Sequence, residues 1–373
     1  MTLIDNEART ALADSVRRLV ADQTSTSRGR EIVLGPDPYD PKLWTHLINL
    51  GLVGLTIPER YKGSGGSCGD LAAVFRELGA GLVPSPLLAT TVLAGTTLLA
   101  LDDEGARSTW LPRIASGEVI AALAVSEPGT REWIASVPAT RATRREQQWL
   151  LNGVKRAVIN GPQTGIILVS AEHDSGVGVF LVEAEAPGLV VTAENNVDLV
   201  RSSAAVRLSD TPSVLVDGDA AAALDTVADL ANVAVAAEQV GAMRSINQLT
   251  VDYAKLRYSF GLPIGSYQGV KHKLANLCTQ WRLVDAALRR AVEAMEAGQS
   301  DASALATAAR VLSSPAYVDA AKSAMLLHGG IGYTWEHQAH LFYKNAIGDS
   351  IICGDAHYQV DRLATKLGLL PAA

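Results

Sequence analysis

The sequence predicts a mainly α-helical chain with a small β domain in its middle. Apolar residues recur at helical spacing in the first and last thirds, whereas short β-branched runs separated by turn residues fill the stretch between them. The chain has 373 residues, of which 48% are hydrophobic, so it is long enough for two or three domains with their own cores. We place the domains at residues 1–118, 119–219 and 220–373.

The first domain is predicted to be all α. Leu12, Val16 and Leu19 recur at the spacing of one helix face. The clusters "YKGSGGSCGD" and "LVPSP" are rich in glycine and proline and separate the helices.

The middle domain is predicted to be an antiparallel β-barrel or sandwich. The runs "GIILVSA", "VGVFLVE", "GLVVTA" and "SVLVDGD" follow one another at intervals of roughly ten residues, with turn residues between them.

The last domain is predicted to be an antiparallel four-helix bundle. The helical period is sustained over long segments, which is typical of such bundles: 221–257, 267–297, 302–328 and 340–367. Between the last two lies "HGGIGYT", in which three glycines inside a helix would cost about 3 kcal/mol relative to alanine. The chain is therefore expected to leave the helix there.

Several classes of function are disfavoured by composition. The formal charge of −7 argues against non-specific nucleic-acid binding. A polar N-terminus and the lack of an 18-residue uncharged apolar run indicate neither secretion nor membrane insertion, so we expect a cytoplasmic protein. Cys68, Cys278 and Cys353 are far apart and form no C-x-x-C motif, which favours neither disulfides nor zinc.

The sequence also lacks the motifs of two other kinds of cofactor site. A di-iron bundle needs two Glu-x-x-His sequences, but "WEHQAH" places His340 four residues after Glu336 and no such pair occurs. No G-x-G-x-x-G follows a predicted strand, so a Rossmann nicotinamide site is not indicated. We expect no metal.

Four segments, each in its expected domain, resemble flavin-dependent acyl-CoA dehydrogenases. "RYSFGLPIGSYQ" resembles the R-x-x-F-G-x-P-I-x-x-F-Q segment of that family, and "GGIGYT" its second flavin segment. "AVSEP" is similar to the T-E-P loop, and "LINLGLVGLTIPERYKGSGG" to the opening domain. The resemblance spans essentially the whole chain and is strongest to actinobacterial members that act on fatty or sterol side-chain thioesters.

This resemblance implies FAD as the cofactor. Arg257, at the predicted C-terminal end of a long helix, is assigned to the FAD pyrophosphate, because its planar fork matches a phosphate. The glycine turn is assigned to the adenylate, which backbone without Cβ atoms can approach closely. The residues expected to contact FAD are Arg257, Phe260, Gln268, Gly329, Gly330, Gly332 and Ser126.

The catalytic base is missing from both places where the family carries it. Dehydrogenation needs a carboxylate to remove the α-proton of the thioester. One family position, the glutamate of I-Y-E-G-T, is Cys353 here; the other, 26 residues before the arginine of R-x-x-F-G, is Ala231. Glu238 and Asp229 do not reach the site of Ala231 without rebuilding it. Asp355 is the remaining candidate, and the base stays unknown.

Other departures fall on one side of the flavin. The Gly-Ser-Asp part of the loop after Ser126 is absent, and Ala157 and Ile159 replace a tryptophan and a hydroxyl residue of the K-x-W-I-[ST]-N segment. In the family these segments contact the flavin of their own subunit, whereas R-x-x-F-G and G-G-x-G-Y reach the flavin of the adjacent subunit. The second set is mostly kept, although Leu326 replaces its usual glutamine.

This pattern predicts a base-deficient subunit of an α2β2 acyl-CoA dehydrogenase that completes the FAD site of a second acyl-CoA-dehydrogenase-like subunit. The implied substrate is an acyl-CoA, and an electron-transferring flavoprotein is the implied electron acceptor. Two alternatives stay open. One is a homomeric enzyme whose base has moved to Asp355, and the other is a flavin-free structural or binding homologue.

Overall fold

The computed structural model describes residues 7–24, 35 and 38–371. Its N-terminal part is helical, as predicted, and side-chain caps fix several helix starts. Ser67 and Asp70 form a reciprocal capping box, while Asp40 and Asp103 each accept a backbone N–H from the first turn of their helix. The elements are α1 (Glu7–Thr24), α2 (Pro41–Asn49), α3 (Cys68–Ala80), a π-helical segment (Leu88–Gly95) that continues into α4 (Thr96–Ala100), and α5 (Glu104–Ala115).

The middle part is a closed barrel with two added strands. The strands are β1 (Ala121–Ala124), β2 (Arg141–Arg145), β3 (Gln148–Ile159), β4 (Ile166–His173), β5 (Gly176–Glu183), β6 (Leu189–Ala193) and β7 (Ser203–Val216). Strands β2, β3, β7 and β5 follow one another around the barrel, and β4 closes it between β5 and β2. Most pairs are antiparallel, as predicted, but β1 pairs with β4 in parallel, and β2 meets β4 at one parallel pair.

The C-terminal part contains three long helices and two shorter ones. A small hairpin of β8 (Tyr258–Ser259) and β9 (Leu262–Pro263) joins the first two long helices. The helices are α6 (Ala220–Leu256), α7 (Gln268–Glu296), α8 (Ala302–His328), α9 (Ala339–Asp349) and α10 (Ala356–Lys366).

The prediction of one continuous helix over residues 340–367 is wrong. The helix is interrupted between α9 and α10, where Cys353 (φ 53°) and Gly354 (φ 99°) adopt left-handed backbone conformations that cannot continue it. Asp355 then starts α10 as its N-cap, since its carboxylate accepts the N–H of Tyr358 at 2.9 Å. The interruption places Cys353 on a turn rather than on a helix face.

The predicted exit from the helix at the glycine cluster is confirmed. Helix α8 ends at His328, Gly329 has φ 66°, and residues Gly329–Tyr333 form a 3₁₀ turn. A left-handed residue directly after a helix is the usual role of glycine at this position.

Helix α6 lies at the centre of the protein and touches α3 backbone to backbone. A Cβ added to Gly241 would lie 1.8 Å from the carbonyl oxygen of Arg76, and one added to Gly79 would lie 2.1 Å from that of Glu238. Among the described residues, α6 is also the one helix long and apolar enough to span a membrane by length and composition. However, 72% of its apolar window is buried inside the protein, as in a core helix.

We expect Gly241→Ala to destabilise the protein by about 1 to 3 kcal/mol, because the added methyl group would push the backbones of α3 and α6 apart. Gly269→Ala, within α7, is the matched control: a Cβ there meets nothing within 4 Å. It should be neutral or stabilising by up to about 1 kcal/mol. Denaturant unfolding of both variants measures the difference, and equal stabilities would contradict the close approach of the two helices.

Candidate functional site

Arg257 lies at the surface, directly after α6. It is the C-cap of that helix, and its carbonyl accepts the N–H of Ile264, which folds the β8–β9 hairpin back on the helix end. Within the described residues its side chain makes no hydrogen bond or ion pair and is exposed. Its five N–H donors are therefore available to an oxyanion.

Phe260 occupies the tip of the hairpin in an unusual conformation. Its φ is 50° and its side chain is 96% exposed. A left-handed conformation costs a residue with a Cβ about 1 to 2 kcal/mol, and burying a phenylalanine side chain is worth roughly 1.5 to 3 kcal/mol. The hairpin is held in place by Tyr267, whose hydroxyl donates to the carbonyl of Ser259 at 2.9 Å. An aromatic ring held in this position is expected of a residue that another molecule covers.

A groove of about 540 Å³ separates the hairpin from the C-terminal end of α8. Ser259, Phe260, Ile264 and Tyr267 line one side of the groove, and Leu326 and Leu327 line the other. Gln268 is exposed at the start of α7, beside Tyr267. The residues predicted from the R-x-x-F-G segment therefore lie on one part of the surface. Helix α8 ends at the same groove, and the glycine turn follows directly after it.

The three glycines of the turn differ in what surrounds them. A Cβ on Gly329 or Gly330 would meet nothing within 4 Å, so their backbone is open to an approaching molecule. Gly332 is buried, and a Cβ there would lie 2.7 Å from the carbonyl oxygen of Met325. For Gly332 the packing of the chain itself is therefore sufficient reason for glycine.

Large apolar side chains are exposed on the segments that line this groove and on the turn that follows α8. Their exposed fractions range from 44% to 96%. A set of this size is typical of an interaction site rather than of scattered surface residues. We call these residues the apolar rim: Leu256, Tyr258, Phe260, Leu262, Leu326, Ile331, Tyr333 and Trp335.

Ser126 lies in the middle domain, just after β1. Its hydroxyl donates to the carbonyl of Trp133 at 3.3 Å, and its own carbonyl accepts the N–H of Arg156 at 2.9 Å. Its hydrogen bonds among the described residues do not reach the surface of Arg257. The predicted cofactor residues thus fall into two groups.

The part of β3 that faces Ser126 is an irregular bulge. Ala157 has φ 51° and donates its N–H to the carboxylate of Glu194 at 3.1 Å, and Arg156 forms an ion pair with the same carboxylate. Ile159 is buried in the pairing of β3 with β7. Neither Ala157 nor Ile159 offers an aromatic ring or a hydroxyl group.

A buried ion pair next to Ser126 was not foreseen from the sequence. Lys155 is fully buried and donates to Glu127 at 2.7 Å and to Ser170 at 3.1 Å. Burial lowers the pKa of Lys155 to about 8. Burial alone would raise the pKa of Glu127, but hydrogen bonds from Lys155, from the hydroxyl of Thr140 and from the N–H of Ala139 hold it below its ordinary value. Two residues that the resemblance places in flavin motifs therefore bind each other inside the chain.

The two positions to which the resemblance assigns the base lie in one buried core. Cys353 and Ala231 are both almost completely buried. Gln359 connects their neighbourhoods: its amide nitrogen donates to the carbonyl of Cys353 at 2.7 Å, and its amide oxygen accepts from Asn232 at 3.1 Å. Burial raises the pKa of the Cys353 thiol to about 12. The thiol is therefore protonated at neutral pH and is a poor base.

The nearby carboxylates already have partners. Asp355 caps α10, and Glu238 binds Arg201 at 2.7 Å. Asp229 binds Arg362 at 2.5 Å on the side of α6 that faces α10. The structure thus gives each of these groups a structural role.

A second buried polar cluster, also unforeseen, lies next to Cys353. Arg201 contacts both Glu238 and Asp349, and Arg310 donates to the carbonyl of Ile352 at 3.0 Å. Burial raises the pKa of Glu238 to about 7, against the opposite effect of Arg201. Partners so distant in sequence leave no local pattern that would reveal them.

The comparisons with known proteins define the family. Models of the acyl-CoA dehydrogenase N-terminal, middle and C-terminal domains match residues 6–118, 122–209 and 221–368. Together they cover most of the chain. The chain belongs to the acyl-CoA dehydrogenase family.

Similar proteins include mycobacterial acyl-CoA dehydrogenases and a heteromeric complex. Acyl-CoA dehydrogenase IpdE2 of Mycobacterium tuberculosis is 33% identical, over 97% of this chain and 98% of its own. The fold also matches the ChsE4-ChsE5 complex of Mycobacterium tuberculosis, with a TM-score of 0.89, 28% identity and full coverage of both chains. A variant of the steroid acyl-CoA dehydrogenase Tcur3481-Tcur3483 gives a TM-score of 0.88 at 28% identity and covers 97% of this chain and 98% of its own.

The family depends on FAD, and the two groups of residues fit that cofactor unequally. The groove, the free fork of Arg257 and the open backbone at Gly329 and Gly330 suit a dinucleotide that lies across the surface. The bulge at Ala157 and the buried Ile159 provide no stacking ring or hydroxyl for a flavin on the other side. FAD fits the surface that faces outward better than the side near Ser126.

We expect Glu127→Gln to destabilise the protein by about 3 to 5 kcal/mol, because the charge of Lys155 would be left buried without its counter-ion. Glu118→Gln is the control, since Glu118 pairs with Arg113 at the surface, where such pairs contribute about 1 kcal/mol or less. Thermal or urea unfolding measures both. A Glu127→Gln variant as stable as the control would refute the structural role of the pair.

Proposed function

We propose that this chain is the base-deficient subunit of an α2β2 acyl-CoA dehydrogenase and that it completes the FAD site of its partner subunit. One contrast carries the proposal. Cys353 and Ala231 are buried and carry no carboxylate, whereas Arg257 and Phe260 are exposed and have no role inside the described part of the chain.

The proposed division of labour follows from this contrast. FAD would supply the hydride acceptor for the dehydrogenation. Arg257 would hold the pyrophosphate by charge-assisted hydrogen bonds, and Phe260 would cover the dinucleotide. Gly329 and Gly330 offer backbone amides without a Cβ in the way. The base that removes the α-proton comes from the partner subunit.

The proposed substrate is the CoA thioester of a fatty acid or a sterol side chain. The support is the similarity to IpdE2 and to a steroid acyl-CoA dehydrogenase. An electron-transferring flavoprotein is the proposed acceptor, and the cytoplasm the proposed location. The apolar rim supplies the surface on which the partner subunit would pack, because burying such side chains favours association.

The homomeric alternative would need Asp355 as the base. Its carboxylate already caps α10, which argues for a structural role. A flavin-free homologue would give no reason for the exposed Phe260 and the free Arg257. Flavin content and the activity of an Asp355→Asn variant distinguish both alternatives from the proposal.

In the assembled complex, Arg257→Ala should weaken FAD retention by about one to two orders of magnitude. The substitution removes a charge-assisted contact worth about 1.5 to 3 kcal/mol. Lys255→Ala is the matched control, because Lys255 is an exposed cation two residues earlier whose described partner is Asp252, at 3.7 Å. Flavin absorbance during dialysis measures retention. Equal retention by the two variants would exclude the assigned role of Arg257.

The isolated chain should be inactive, and co-expression with its partner should give about one FAD per two chains together with turnover. General-base catalysis contributes about 10² to 10⁴ in rate, so a homomer should be slower by at least that factor even if flavin bound. Flavin stoichiometry and acyl-CoA oxidation are the measurements. One FAD per chain with full activity in the isolated chain would overturn the proposal.

Two variants locate the base. Cys353→Ala and Asp355→Asn should change turnover of the complex little, whereas loss of the partner's glutamate should abolish it. If Asp355→Asn instead abolishes the activity of a homomer, the base has moved to Asp355. A chain that neither binds flavin nor assembles with a dehydrogenase-like partner would be the flavin-free homologue.

A further inference from the structure

Three aromatic rings are stacked next to the glycine turn that follows α8. The ring of His328, the last residue of α8, contacts the rings of Tyr253 on α6 and of His337, with centroid distances of 4.3 Å and 4.4 Å. The hydroxyl of Tyr253 also donates to the carbonyl of His328 at 3.1 Å. The stack therefore connects α6, the end of α8 and the segment that leads into α9.

The hydrogen bonds of His328 hold it in its neutral form. Its Nδ1 lies 2.8 Å from the carbonyl oxygen of Ala324, and because a carbonyl oxygen only accepts, Nδ1 carries the proton. Nε2 is buried and has no hydrogen-bond partner among the described residues. A second proton, on Nε2, would create a buried charge with an unsatisfied N–H. Burial accordingly lowers the pKa of His328.

His337 is held neutral by a different contact. Its Nδ1 accepts the N–H of Ala339, the first residue of α9, at 3.1 Å. An accepting nitrogen carries no proton, so protonation of Nδ1 would break this hydrogen bond at the start of α9. The added charge would also lie beside the N-terminal end of the helix, where the helix dipole disfavours cations. Burial lowers the pKa of His337, and the neighbouring histidines lower it further.

The groups around the two rings would compensate an added proton poorly. Tyrosine is neutral and lysine is cationic near neutral pH, and a second histidine only adds positive charge. The single carboxylate of the set belongs to Glu336, which is exposed, so that water screens its attraction. The titratable groups on α6, on the segment before α9 and on α9 are Tyr253, Glu336, His340 and Lys344.

We propose that His328 and His337 form a pH-sensitive switch at the glycine turn. While both rings are neutral, they hold the turn and the start of α9 in place, and protonation releases this segment. Two protonated rings at this separation would also repel each other. The switch itself is independent of the proposed function. Its effect on FAD rests on that function, because Gly329 and Gly330 are the backbone assigned to the dinucleotide.

The direction of the pH dependence follows from the lowered pKa values. In the unfolded chain both rings titrate near the ordinary histidine value of about 6.5. Above that pH neither state takes up the protons, and the full stability is present. Below it the unfolded state takes up protons that the folded state excludes, so stability falls as the pH decreases. Each histidine lowers the ratio of folded to unfolded protein by up to about tenfold per pH unit in this range.

Urea unfolding of the full chain between about pH 5.5 and 7.5 tests the switch. His337→Asn is the diagnostic variant, because its amide oxygen still accepts the N–H of Ala339 but does not titrate. Relative to the wild type, its ratio of folded to unfolded protein should rise by about threefold to tenfold on acidification. His272→Asn replaces an exposed histidine on α7 and should follow the wild type. Comparison at each pH removes the contribution of the buried carboxylates, which also titrate there.

Hydrogen exchange of the wild type needs no variant. After correction for the intrinsic effect of pH, residues 328–342 should lose protection by about tenfold at acidic pH, whereas α2 should change less. Equal pH dependence of His337→Asn and wild type, or unchanged protection of this segment, would refute the switch.

FAD retention by the assembled complex separates the switch from the proposed function. Retention should fall over the same pH range in the wild type and less in His337→Asn. If exchange and unfolding show the switch while retention stays constant, the switch is supported and the assignment of the glycine turn to FAD is wrong.

Discussion

The buried ion pair between Arg201 and Glu238 on α6 is the constraint that joins the three parts of the protein. Arg201, from the β domain, binds Glu238 and also reaches Asp349 at the end of α9. In the same turn of α6, the carbonyl of Glu238 and Gly241 touch the backbone of α3. One short stretch of α6 therefore contacts the N-terminal helices, the barrel and the end of the bundle. Because buried ion pairs are sensitive to geometry, the relative placement of these parts is closely defined.

This junction also sets the surroundings of the two positions assigned to the base. Arg310 donates to carbonyl groups at the end of α9, so the chain turns there and Cys353 enters the core. The interior next to it already contains three carboxylates and two guanidinium groups: Asp198, Glu238, Asp349, Arg201 and Arg310. A protonated thiol and an alanine add no charge to this group. An ionised glutamate at Cys353 would need a further buried counter-ion.

The sequence predicted the fold far better than the packing between elements. Helices α6, α7 and α8 match their predicted spans to within one residue at each end, because long amphipathic periods and glycine stops are local signals. The break at Cys353 was missed because apolar periodicity continues on both sides of it, although Gly354 followed by Asp355 is a stop and start signal. The parallel pairing of β1 and the pair of Lys155 with Glu127 depend on partners distant in sequence. No local pattern reveals such contacts.

The residues of the two flavin segments differ in whether the chain itself explains them. Lys155 and Glu127 lie in segments that the resemblance assigns to the flavin of the same subunit. Their buried ion pair accounts for both residues without any cofactor. Arg257 and Phe260 lie in the segment that the resemblance assigns to the flavin of the adjacent subunit. Within the described residues neither has a side-chain partner that would explain it. A strained and 96% exposed phenylalanine lowers the stability of an isolated chain. A contact outside the chain would explain the exposed Phe260, which supports a site shared with another subunit. In such a site this chain does not need the flavin contacts of its own segments near Ser126 and Ala157.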